Sequence, residues 1–140
     1  MRNFLNLEIW KRSHQLALKI YKTTKYFPKE ELFGLTGQMR RSSSSIPSNI
    51  AEGCGRNSNP QLANFLQIAT GSCSELQYQI ILSKDLSYIN EQVFNELHTD
   101  TVDIRKMIFG YWDKATAHGS RLTAHRRPLY FDNTNSCIVP

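Results

Sequence analysis

Between Met39 and Arg56 the chain reads MRRSSSSIPSNIAEGCGR, with two adjacent arginines, four consecutive serines and an interior proline set between two amphipathic segments. Leu32, Leu35, Met39, Ser42, Ile46, Asn49 and Gly53 recur at alternating spacings of three and four. A helical stripe therefore runs straight through the serines, and its small side chains let another helix approach closely. This stretch reads as a packed helix end and not as a catalytic loop.

The flanking segments carry the same signal. An amphipathic helix is expected from about Leu7 to Phe27, with Ile9, Ser13, Leu16, Ile20 and Phe27 on one face and Trp10, Ala17 and Thr24 beside it. Pro28 ends it by pushing Phe27 out of helical geometry. A second helix is expected from Lys29 or Glu30 to about Glu52, where Gly53-Cys54-Gly55 terminates it. Pro47 lies inside it and should kink it or interrupt its hydrogen bonding, with the Ser43 and Ser44 hydroxyls available to the disturbed backbone. Asn59-Pro60 opens a third helix, Asn59 as its cap. Its inner seam is Leu62, Leu66, Ala69, Cys73, Leu76, Ile80 and Ser83, and Phe65, Ile68, Ser72, Gln79, Leu82 and Leu86 form a flanking stripe. Asn90 caps a fourth helix from about Glu91 to Ala115, with Phe94, Leu97, Thr101, Ile104, Ile108, Tyr111 and Ala115 on its stripe.

Four such helices on short connections predict an all-α fold, a mainly antiparallel four-helix bundle over residues 1–116. Residues 117–140, where the periodicity fails, are expected to form a flexible tail whose Leu129-Tyr130-Phe131 cluster docks on a neighbouring surface or stays free. At 140 residues the chain is about one domain long and buries roughly two-thirds of its unfolded surface.

Composition narrows the function classes. Three cysteines, Cys54, Cys73 and Cys137, are odd in number and lack metal-ligand spacing, which suits reduced thiols in a cytoplasmic protein. The start, MRNFLNLEIWKRSHQ, lacks the continuous apolar run of a signal peptide, and no segment approaches the length of a membrane span. A net charge of +5 and an isoelectric point near 9.2 favour polyanionic partners: nucleic acid, an acidic protein or an anionic surface.

Lys11, Lys22 and Lys25 project within about one-sixth of a turn of each other and form a candidate phosphate-contacting strip, set against the plainer alternative of a solvated lysine face. Arg40 and Arg41 diverge by about 100°, so their roles should differ. One can face solvent while the other pairs with a carboxylate such as Glu52 or Glu75. Arg56 beside Gly53-Cys54-Gly55 reads as a helix C-cap. The serine run lacks a neighbouring base, and His14, His98, His118 and His125 match no metal-ligand spacing. No catalytic residue, cofactor or metal is therefore expected. Trp10, Tyr21, Tyr26 and Tyr78 stack on bases if exposed, and otherwise belong to the core or a subunit interface.

The segment LEIWKRSHQLALKIYKTTKYFPKEELFGLTGQMRRSSSSIPSNIAEGCGR resembles the four-helix-bundle proteins encoded in intervening sequences of bacterial 23S ribosomal RNA genes. The resemblance is carried by Trp10-Lys11, Phe27-Pro28, Gly34-Leu35-Thr36, Arg40-Arg41, Ile46-Pro47 and Asn49-Ile50-Ala51-Glu52-Gly53, and FLQIATGSCSELQYQI and IRKMIFGYW extend it to residues 4–115. Cys54, where an aromatic is common, and Pro60-Gln61 depart from the pattern. The resemblance implies a homo-oligomer, a pentameric ring, related in fold to the accessory protein of diversity-generating retroelements. By that analogy it implies a non-enzymatic scaffold that binds RNA or DNA, and the basic residues singled out above, Lys11, Lys22, Lys25, Arg40 and Arg41, are its expected contacts. A protein-interaction scaffold without a nucleic-acid role is the competing expectation.

Overall fold

In the computed structural model, which describes residues 2–117, four helices run in succession: α1 Glu8–Thr24, α2 Leu35–Cys54, α3 Asn59–Asp85 and α4 Glu91–Ala117. Short 3-10 turns at Phe4–Asn6 and Lys29–Glu31 precede α1 and α2. Each helix packs on two neighbours, α1 and α3 on both α2 and α4, and the diagonal pairs stay apart. Side-chain pairs fix the directions. Along α2 and α3, Arg41 meets Glu75 and Ser45 meets Ser72, so one numbering rises as the other falls. Gln77 with His98 and Lys84 with Glu91 show the same for α3 and α4. The described residues form an antiparallel, all-α four-helix bundle with no strand among them.

The seams meet inside as their periodicity requires. Ile9, Leu16 and Ile20 of α1, Met39, Ile46 and Ile50 of α2, all seven seam residues of α3, and Leu97, Ile104 and Ile108 of α4 are buried. Each large aliphatic side chain so buried contributes roughly 1.5–3 kcal/mol. Hydroxyls that share the seam are satisfied within their own helix: Thr24 donates to the Ile20 carbonyl, Ser83 to that of Gln79 and Thr101 to that of Leu97. Ser42, also within reach of the Met39 carbonyl, donates across the interface to Gln79 Oε1 at 2.6 Å. At the opposite end of the α2–α3 contact a Cβ on Gly53 would stand 3.0 Å from both Leu62 Cδ1 and Phe65 Cβ, so glycine is what allows the approach there.

Several local expectations are corrected. The second helix starts at Leu35, because the chain first makes the 3-10 turn and the Glu31 carboxylate then accepts the Leu35 N–H at 3.1 Å. Leu32 thereby leaves the stripe and is half exposed. At Pro47 the expected interruption of hydrogen bonding is present, since proline has no N–H for the Ser43 carbonyl, while α2 runs on to Cys54 with the proline buried. The Ser43 and Ser44 hydroxyls donate to the Arg40 carbonyl, one turn above the carbonyl that Pro47 leaves without a donor. Ser58, not Asn59, caps α3, accepting the Gln61 N–H, and Asn59 accepts from Arg2 instead. In the flanking stripe of α3, Ile68 and Leu86 are about half exposed. The helices α1 and α4 end at Thr24 and Ala117, a few residues from the expected limits. The Leu129-Tyr130-Phe131 cluster and Cys137 lie outside the described residues.

Candidate nucleic-acid interface

The amphipathic pattern of α1 decides which of its side chains point outward. With Ile9, Ser13, Leu16 and Ile20 turned to the core, Lys11 and Lys22 fall on the opposite face, about 16 Å apart along the axis. Lys25 continues that face at the C-cap position. All three are exposed, and no carboxylate among the described residues forms an ion pair with any of them. Their charge is therefore available to an outside anion.

The remaining cation of α1 differs. Lys19 lies between Glu96 and Asp100 of α4, each at 2.7 Å. Hydrogen bonds to Asp100 and then Glu96 raise its pKa above the ordinary lysine range. The α1–α4 edge is thus mixed in charge: Glu8, Asp100 and Asp103 line its cleft together with Lys11, Arg12 and Lys19.

Arg40 and Arg41 go separate ways, as their angular divergence requires. Arg40 donates through Nε to Thr24 Oγ1 at 2.9 Å and lies over the Tyr21 ring, 5.0 Å from its centroid. It is held on the α1–α2 edge, beside the lysine strip. Arg41 is exposed on the far side of α2 and pairs with Glu75 of α3 at 2.5 Å. Glu52, the other carboxylate considered for it, pairs with Arg56, which also lies over Phe65. Four of the five sequence-derived residues thus stand on or beside the outer face of α1, and Arg41 stands apart.

The strip has a neighbour that charge and periodicity do not single out. Trp10, His14, Ala17, Leu18 and Tyr21 of α1, with Phe4 before it, face Ser44, Pro47, Ser48 and Ala51 of α2 across an open groove of about 460 Å³. Phe4 meets Trp10 edge to face at 5.1 Å, and Trp10 stacks on His14 at 5.2 Å with the rings nearly parallel. The signal available in sequence was the spacing of Trp10, His14 and Tyr21 on one side of α1, where His14 counts as a partner for aromatics and not as a failed metal ligand.

Elsewhere the chemistry-bearing residues are occupied structurally. Among the described residues no three of His, Cys, Asp and Glu converge as a metal site. Cys54 and Cys73 are buried free thiols. Burial pushes Cys73 up to about 12, so it packs as a small apolar group. The hydroxyls of Ser42, Ser43 and Ser44 donate to carbonyl oxygens, and Ser45 pairs with Ser72. No described helix is long and apolar enough to cross a membrane.

A sequence profile for the 23S rRNA-intervening sequence protein family matches residues 5–110. The fold is similar to the 1.70 Å crystal structure of a protein with unknown function from the S23 ribosomal protein family, from Bacteroides thetaiotaomicron VPI-5482. The TM-score is 0.70 at 25% identity, over 75% of this chain and 95% of that one. Comparison with curated proteins gives no match.

Proposed function

The chain belongs to the 23S rRNA-intervening sequence protein family, and we propose that it acts without catalysis, as a cytoplasmic homo-oligomeric bundle that binds RNA or DNA through basic surfaces. The observation that carries this reading is the strip of Lys11, Lys22 and Lys25, exposed on the outer face of α1 and without an ion-paired carboxylate among the described residues. Phosphates satisfy such charges and release condensed counterions on binding. The family's connection with 23S ribosomal RNA genes makes ribosomal RNA the first ligand to try.

Assembly into a pentameric ring, and kinship with the accessory protein of diversity-generating retroelements, belong to the same proposal. Symmetry repeats the strip: five protomers at +5 each carry about +25, which raises both affinity and its sensitivity to salt. Gel shift of 23S ribosomal RNA fragments at low salt, with light scattering coupled to size exclusion before and after nuclease treatment, tests the reading. A protein that shifts no fragment even at low salt contradicts it.

One observation favours a protein partner as the second reading. Phe33 is 96% exposed and Tyr26 89% exposed at the α1–α2 turn, with Leu32 half exposed beside them, an apolar cluster of the kind that marks interaction sites. A stoichiometric protein that stays bound after nuclease treatment, in the absence of any RNA shift, supports that reading over the first.

A further inference from the structure

We infer that the groove between α1 and α2 binds unpaired nucleobases, making this face specific for single-stranded nucleic acid over duplex. The inference rests on the nucleic-acid reading above and adds to it a strand class and a second set of contacts. Its basis is that the aromatic groove and the lysine strip are adjacent on one helix.

The two edges of α1 differ in charge. The cleft toward α4 is mixed, with Glu8, Asp100 and Asp103 beside Lys11, Arg12 and Lys19, and Lys19 is already held by Glu96 and Asp100. The groove toward α2 has no acidic residue among the described residues that line it. Arg40 stands at its Tyr21 end, and the exposed Lys22 and Lys25 continue along the outer face of α1, with Lys11 on that face at the rim of the α4 cleft. A polyanion approaching the strip therefore meets carboxylates as well as cations toward α4, and aromatic rings without carboxylates toward α2.

That side is built for ring contacts. Trp10 and His14 are already stacked, and Phe4 braces Trp10 from its edge. Tyr21 is 44% exposed although Arg40 lies over it. Small or flat residues, Ser44, Pro47, Ser48 and Ala51, form the opposite wall, leaving room for a planar base. Trp10 and Tyr21 are about 16 Å apart along α1, matching the run of the strip, so a strand can place phosphates along the lysines while its bases turn into the groove. A duplex keeps its bases paired and stacked and can use the lysines alone. RNA and DNA single strands share this chemistry.

The test uses the full chain carrying Trp112→Phe, so that Trp10 is the remaining tryptophan of the two. Oligouridylate, oligothymidylate and the corresponding duplexes are titrated against tryptophan fluorescence and, separately, anisotropy of labelled strands. The expected result is saturable quenching of Trp10 by a single strand, with roughly tenfold tighter binding than duplex. The exposed site variants Tyr21→Ala and His14→Ala should each weaken single-strand binding by roughly tenfold, leave duplex binding unchanged, and Tyr21→Phe should restore it. The RNA and DNA arms identify which strand is preferred, and stacking with either upholds the inference. Equal affinity for strand and duplex, with no effect of Tyr21→Ala or His14→Ala, overturns it while leaving the lysine reading intact. A change in oligomeric mass in those variants without nucleic acid also overturns it, since the groove is then an interface between copies. Failure of every oligonucleotide to bind removes both.

Discussion

Replacing Lys11, Lys22 and Lys25 together by glutamine tests whether their free charges meet phosphates. Glutamine keeps a long polar side chain and good helix propensity, and all three positions are exposed, so folding should be unaffected. For a single strand short enough to lie on one strip, each neutralised phosphate contributes about −0.7 to the slope of log affinity against log salt. Losing three contacts should therefore flatten that slope by about 2. Between about 50 and 200 mM salt this amounts to a roughly 20-fold difference in how far wild type and variant weaken. Fluorescence anisotropy of a labelled oligouridylate over that range reads the slope directly. Arg41→Gln is the control, because Arg41 is engaged by Glu75; its slope should move far less. An unchanged slope in the triple variant, or an equal loss in Arg41→Gln, refutes the assignment of the strip.

Other predictions concern the scaffold. Gly71→Ala should stabilise the protein to urea by about 0.5–1 kcal/mol, since a Cβ there meets nothing within 4 Å and alanine favours the helix. Gly53→Ala should instead cost about 1–3 kcal/mol, because its Cβ crowds Phe65 Cβ near the α3 backbone; equal effects at the two sites contradict the close α2–α3 approach. His98 accepts from Gln77, whose Oε1 is taken by Arg105, and burial first, then Arg105 and Lys84, lower its pKa. The unfolded chain then binds this proton first, so the stability is intact above about pH 6.5 and declines as pH falls through the lowered folded value. His98→Gln should accordingly lose less Tm than wild type on acidification, and an equal loss contradicts the assignment.

The bundle was legible because its helices follow one rule throughout. Every seam residue of α3, and Leu97, Thr101, Ile104 and Ile108 of α4, stand at positions that periodicity alone puts inside. The ends were less legible because they depend on side chains that compete for the same backbone groups. Glu31 moves the start of α2 by holding the Leu35 N–H, and Ser58 takes the cap from Asn59 while Arg2 engages Asn59. Pro47 reads locally as a kink or a lost hydrogen bond inside a continuing helix, and α2 does continue through it with the proline buried. At the candidate site, the outward face of α1 follows from its own period. Which cations remain unpaired does not, since Lys19 and Arg41 are claimed by carboxylates some 80 and 34 positions away in sequence. The aromatic groove was hidden for the same reason: one wall comes from α1 and the other from α2.

Ultraviolet crosslinking of the full chain to labelled single-stranded RNA, followed by mass spectrometry of the attached peptides, locates the contact face itself. Crosslinks are expected in α1 at Trp10 or Tyr21, abolished by high salt. Tyr78 on the outside of α3 is 62% exposed and equally photoreactive, so crosslinks concentrated there with none in α1 would contradict that placement.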